Sequence, residues 1–96
     1  MKKYTQIGGA RIGCFNATWP FAKIEISENQ IKLFVLGKSY EFQKEESLQL
    51  KKCHGLFNKG LQIKTTNINY PNILIFWSFN LKQLINNLEK MNYRIS

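Results

Sequence analysis

The sequence contains no aspartate, a single histidine (His54), two cysteines (Cys14 and Cys53), two prolines and only two arginines (Arg11 and Arg94). Each shortage closes a class of chemistry. Without aspartate, nothing of the Ser-His-Asp kind can orient His54. Cys53 precedes His54 directly, and neighbours on a strand point to opposite faces, so the two do not make a nucleophile and base pair. Cys14 with His54 stays open. A zinc centre takes about four ligands in paired spacing, which one His and two separated Cys do not supply. Glu45 and Glu46 are adjacent and read as solvated, unlike the opposed acid and base of a hydrolase. A non-enzymatic chain with neither cofactor nor metal is expected.

Long apolar runs are also missing. The longest candidate, Ile73 to Phe79, is interrupted by Ser78 and falls far short of the roughly 20 residues a membrane-spanning helix needs. Met1-Lys2-Lys3 imitates the basic start of a secretory leader, but Tyr4 to Gly13 has no apolar stretch to follow it, so a cytoplasmic location is expected. A cytoplasmic chain with enough core to fold has no need of a Cys14–Cys53 disulfide.

What is present begins with a core. The 96 residues are 44% hydrophobic and 14% aromatic, which suits one globular domain spanning 1–96. The net charge is +8 and unevenly placed: residues 1–48 carry +2 and residues 49–96 carry +6. Such a field draws nucleic acid, anionic lipid or acidic protein. The scarcity of arginine, the planar reader of guanine edges and phosphates, counts against nucleic acid. The crowding of Asn, Lys and Ile is also what an A- and T-rich coding sequence produces without selection, so the charge reads equally as a solubility device.

The hydrophobic period is two for most of the chain and changes to 3.6 near the end. Ile24 and Ile26 alternate with Lys23 and Glu25. After a turn at Glu28-Asn29-Gln30, Ile31, Leu33 and Val35 form a second set, with Gly37 closing the run, and the two should pair as a hairpin. Tyr40 and Phe42, then Leu48 and Leu50, predict two more short strands, and Leu61, Ile63 and Thr65 another. A first strand is predicted between Gly8 and Asn16, with Ile12 and Cys14 on one face. Ile73-Leu74-Ile75-Phe76-Trp77 is apolar throughout and predicts a strand covered on both sides, the outer cover being the helix that follows. Asn80 caps that helix, with Leu81, Leu84, Ile85, Leu88 and Met91 on its buried face and Lys82, Gln83, Asn86 and Glu89 toward water. The predicted class is mostly β (α+β): a partly open barrel of about seven antiparallel strands within about 8–79, closed by one amphipathic C-terminal helix at about 80–92.

Seven short strands followed by such a helix is the order of the pleckstrin-homology-like (PH-like) superfold, and the sequence resembles small bacterial PH-like domains. The likeness is carried by Asn16-Ala17-Thr18-Trp19-Pro20-Phe21 leading into Lys23-Ile24-Glu25-Ile26, by Gly55-Leu56-Phe57 before Gly60-Leu61-Gln62-Ile63, and by Ile75-Phe76-Trp77-Ser78-Phe79 before the helix. The resemblance implies a lipid-binding, peptide-binding or scaffolding module. Phosphoinositide-binding members place several Lys and Arg about the first hairpin. Here the connection reads Asn16-Ala17-Thr18-Trp19-Pro20, with only Arg11 and Lys23 nearby.

Two candidate sites follow. Trp19-Pro20-Phe21 is either an exposed aromatic tip for a partner or a core anchor. Lys51-Lys52-Cys53-His54 with Lys59, in and beside the connection between the fifth and sixth strands that runs from His54 to Gly60, is a candidate anion site or a solvated basic loop, with Lys51, Lys52, Lys59 and Lys64 as the anion-binding candidates. The expected function is a module docking a protein or peptide through an open strand edge or the Trp19 region. The alternative is a peripheral anion binder recruiting acidic phospholipid or, less readily, nucleic acid. A homodimer is compatible with either.

Overall fold

Alternating apolar and polar residues become seven strands in a computed structural model that describes residues 3–44, 48–54, 59–65, 70–71 and 73–95. They are β1 (Lys3–Ile12), β2 (Phe15–Ser27), β3 (Gln30–Val35), β4 (Lys38–Gln43), β5 (Gln49–His54), β6 (Lys59–Lys64) and β7 (Leu74–Ser78), followed by helix α1 (Leu81–Lys90). All the strands pair antiparallel in one sheet ordered β4-β3-β2-β1-β7-β6-β5. The sheet curls into a half-barrel with α1 at its C-terminal end, so the predicted fold class is observed.

A mismatch in register interrupts the β1–β2 ladder. Gly8 pairs with Ala22 and Ala10 with Ala17, so Gly9 alone stands opposite the four residues from Thr18 to Phe21. The surplus backbone of β2 is forced outward as an excursion, and extra residues on one strand bend a sheet at that point. Only glycine fits at position 9, because a Cβ there would lie 2.6 Å from the carbonyl oxygen of Ala17. On the N-terminal side of this point β1 pairs with β2 alone, while Gly9–Ile12 also pairs with Trp77–Leu74 of β7.

The first strand therefore begins and ends earlier than its local pattern predicts. Gly13 and Cys14 form the turn, with Gly13 at φ +61°, and Asn16–Phe21 belongs to β2 and not to a connection. The predicted β2–β3 hairpin pairs Ile24 with Leu33 and Ile26 with Ile31, all fully buried.

At the next turn Leu36 and Gly37 both have positive φ, +48° and +85°, the backbone of a type I′ hairpin turn. Leucine resists this region by roughly 1 kcal/mol, whereas asparagine tolerates it. Leu36 is exposed, so Leu36→Asn is expected to raise the unfolding free energy by about 0.5–1 kcal/mol, read from urea denaturation. An unchanged or lowered midpoint would refute this.

The helix fills the concave side of the sheet. Leu84, Leu88 and Met91 enter one core with Ile24, Ile26, Leu33, Phe42, Leu61, Leu74 and Phe76. This corrects the predicted outer cover for β7: α1 packs on the inward side, and Ile75, on the outer face, is flanked in register by Arg11 and Gln62. Asn80 caps α1 by accepting from the Gln83 N–H at 3.1 Å. At the other end Asn92, at φ +68°, turns the chain back, and the N–H groups of Asn92 and Tyr93 donate to the carbonyls of Glu89 and Leu88. This is a Schellman ending, and it returns Tyr93 to the core, where its hydroxyl donates to the Ser27 carbonyl at 2.7 Å. Lys44 Nζ donates to the Met91 carbonyl and lies 4.5 Å from the centre of the Tyr93 ring, placing a cation at the negative end of the helix.

Both outer strands are engaged. The Glu41 N–H of β4 donates to the Tyr70 hydroxyl at 3.1 Å, and Tyr70 stands edge-on to Tyr40 and Phe42. On the opposite side Ile95 forms a parallel bridge with Leu50 of β5.

Candidate binding cleft

A cleft of about 1070 Å³ opens where the β2 excursion, the ends of β5, β6 and β7, and the first turns of α1 meet. Its aromatic part comes from Trp19, Trp77 and Phe79. Trp19 and Phe79 meet edge to face, with ring centroids 6.0 Å apart, and are nonetheless 55% and 80% exposed. A core anchor would be covered, so the structure decides between the two readings of Trp19 in favour of an exposed aromatic. It stands on the excursion across from Gly9 and follows Ala17, which is buried in the core. Phe21 and Pro20 are exposed beside it but do not line the cleft, and the Trp19–Pro20 peptide is cis.

A polar clamp holds Phe79 outward. Ser78 Oγ donates to Gln6 Oε1, while Gln6 Nε2 donates to the Tyr4 hydroxyl at 2.7 Å and the Asn80 carbonyl at 3.2 Å. The Asn80 N–H in turn donates to Ser78 Oγ at 3.0 Å. The residues on either side of Phe79 are thus tied to β1 and to the helix cap, and the ring between them is left to solvent. Trp77, half-buried, is fixed by its Nε1 donating to Asn16 Oδ1 at 3.3 Å.

The cationic part follows from strand phase. On β5 the core-facing position occupied by Leu50 is followed two and four residues later by Lys52 and His54, and on β6 Lys59 precedes Leu61 and Ile63 in the same phase. In register, Lys52 lies across from Leu61, and His54 from Lys59, which in turn pairs with Ser78. The inward row of the sheet therefore changes from apolar to cationic at this end of the half-barrel, and Lys82 of α1 joins it. No carboxylate lines the cleft among the described residues.

Of the four lysines named from sequence, the structure brings Lys52 and Lys59 together. They lie on strands and not in a connection, which corrects the predicted basic loop. Lys51 pairs with Gln62 on the outer face, and Lys64 pairs with Gln49 at the far end of the β5–β6 hairpin. His54, named beside these lysines from sequence, also lines the cleft, and Lys82, Trp77 and Phe79, which sequence did not single out as site residues, complete it. The Gly55-Leu56-Phe57 segment lies outside the described residues.

Cys14 and His54 do not meet. Cys14 sits in the turn beyond the Ile12–Leu74 pair and His54 in the row that contains Ser78, so the length of β7, roughly 13 Å, separates their levels. Cys14 is exposed and Cys53 half-buried, both as free thiols. Among the described residues no group of three or more His, Cys, Asp or Glu is placed to hold a metal ion. No helix among them is long and apolar enough to cross a membrane.

Compared with known protein families, curated proteins and solved structures, the chain matches none.

Proposed function

We propose that this chain is a PH-like, non-enzymatic module that docks a protein or peptide partner in the cleft between the β2 excursion and α1. The order of seven strands and a C-terminal helix supports the PH-like reading. One observation carries the docking reading: Trp19 and Phe79 are left largely exposed at the mouth of a concave site whose lining also includes Lys52, Lys59 and Lys82. Aromatic side chains with one face open are the usual anchors of protein interfaces, and a small domain gains nothing in stability by displaying them. Engagement of both sheet edges, through Tyr70 and Ile95, favours this cleft over strand addition as the place of contact.

The test is site-specific photocrosslinking in cells that produce the protein, with the photoreactive amino acid at position 19 and, as control, at exposed Lys38. Discrete protein adducts at 19 and none at 38 are expected. Identical patterns at the two positions would reject the assignment.

The second reading, attachment to acidic phospholipid or nucleic acid, draws on Lys52, Lys59 and Lys82. It requires binding to fall steeply with salt whether or not Trp19 is present.

A further inference from the structure

The cleft's charge identifies its occupant more narrowly than its shape does. Lys52 and Lys59 share one face of the β5–β6 hairpin as diagonal neighbours across the strands, a relation that sets such residues about 7–8 Å apart. His54 lies directly across from Lys59. Among the described residues none of these lysines forms an ion pair with a carboxylate; the pair formed there is Lys3 with Glu25, on β1 and β2. Among the described residues no carboxylate lines the cleft where Lys52, Lys59 and Lys82 converge.

We infer that the cleft takes a linear acidic peptide segment of a partner protein, with an aromatic or aliphatic side chain seated against Trp19 and Phe79 and its carboxylates facing Lys52, Lys59 and Lys82. This rests on the docking reading above. Three features of the site select this occupant. The net charge of +8 sets a second copy of the chain against itself at this face. The site is concave, with a volume just above the roughly 300–1,000 Å³ typical of ligand pockets, which suits a chain segment with one inserted side chain better than the broad face of a bilayer. Acidic groups meet the lysines while the anchor covers the aromatic surface, so one segment satisfies both halves of the wall.

The experiment is selection of random peptides displayed on phage against the intact chain, against Trp19→Ala, and against a charge-reversed variant carrying Lys52→Glu, Lys59→Glu and Lys82→Glu. All four positions are exposed, and circular dichroism and thermal unfolding confirm that each variant is folded. The intact chain is expected to enrich peptides that combine Asp or Glu with one Phe, Trp, Leu or Ile. The best of these, synthesised with a fluorophore, is expected to bind at least about tenfold more weakly to the charge-reversed variant and to Trp19→Ala. Its affinity should also fall as salt rises from roughly 0.05 to 0.5 M.

Enriched peptides without acidic bias, bound by the charge-reversed variant but not by Trp19→Ala, would overturn the acidic occupant and leave the docking reading standing. Acidic peptides bound equally by the intact chain and Trp19→Ala would overturn the anchor and reduce the site to bulk attraction. Failure to enrich any peptide over the variants, with sedimentation on phosphatidylserine-containing vesicles, would overturn both readings in favour of a membrane surface.

Discussion

Phe76→Ala is expected to lower the unfolding free energy by about 3–5 kcal/mol, and Trp19→Ala by only about 0.5–1.5 kcal/mol. Both residues are large aromatics, so the contrast isolates the environment. Phe76 is fully buried, packed in the core with Leu74 and Leu61. Removing its ring leaves a cavity that a sheet fixed on both sides, by β1 and β6, has little freedom to close. Trp19 gives up one edge-to-face contact with Phe79 and little burial, and such an aromatic pair is worth roughly 0.5–1.5 kcal/mol.

For a domain of this length, a loss of 3–5 kcal/mol lowers the melting temperature by roughly 15–30 °C, easily read by thermal unfolding. Comparable losses for the two variants would make Trp19 structural and remove the main support for the docking cleft. A near-silent Trp19→Ala would mean that the indole is displayed for something other than folding.

Those parts of the fold that depend on neighbours in sequence were legible from it. The alternation at Ile24 and Ile26, and at Ile31, Leu33 and Val35, gave the β2–β3 hairpin. Asn80 and the spacing from Leu81 to Met91 gave the helix and its buried face. What was not legible depends on register between distant segments. Nothing local to Thr18-Trp19-Pro20-Phe21 reveals that these residues face a lone glycine on another strand, yet that mismatch leaves them without register partners on β1. The outer cover predicted for β7 failed for a related reason: a fully apolar strand says that both faces are shielded, not by what.

The cationic wall did leave a signal. Carrying the inward phase of Leu48 and Leu50 forward puts Lys52 and His54 on the core face. A core-phase position that turns cationic marks either the end of a barrel or a site. Taking the connection to begin at His54 and to include Lys59 concealed that phase. Lys82 was assigned correctly to the solvent side of α1, but the helix does not show which strand ends that side overlooks.

Alkaline pH should expose a further dependence of the fold, through Tyr93. Burial pushes its hydroxyl up to about 12 from the ordinary 10.0, because the phenolate would lose its water. The neutral hydroxyl donates to the Ser27 carbonyl, and ionisation would replace that hydrogen bond with an anion facing a carbonyl oxygen. Since the folded state holds this proton more tightly than the unfolded chain, the contribution is fully present below about pH 10 and is lost as pH rises toward about 12. Its size is up to roughly 2 kcal/mol. Tyr93 joins the Schellman turn of α1 to the end of β2, so its loss loosens the helix at the end held by Lys44.

Tyr93→Phe separates this group from the lysines and other tyrosines, which titrate in both proteins. The variant loses the hydrogen bond and should be about 1 kcal/mol less stable at pH 8. The gap should close or reverse as pH climbs toward 12, because only the wild type has the extra proton to lose. Urea midpoints measured across that range and converging would support Tyr93 as the group responsible. Parallel curves would place the alkaline loss of stability elsewhere in the chain.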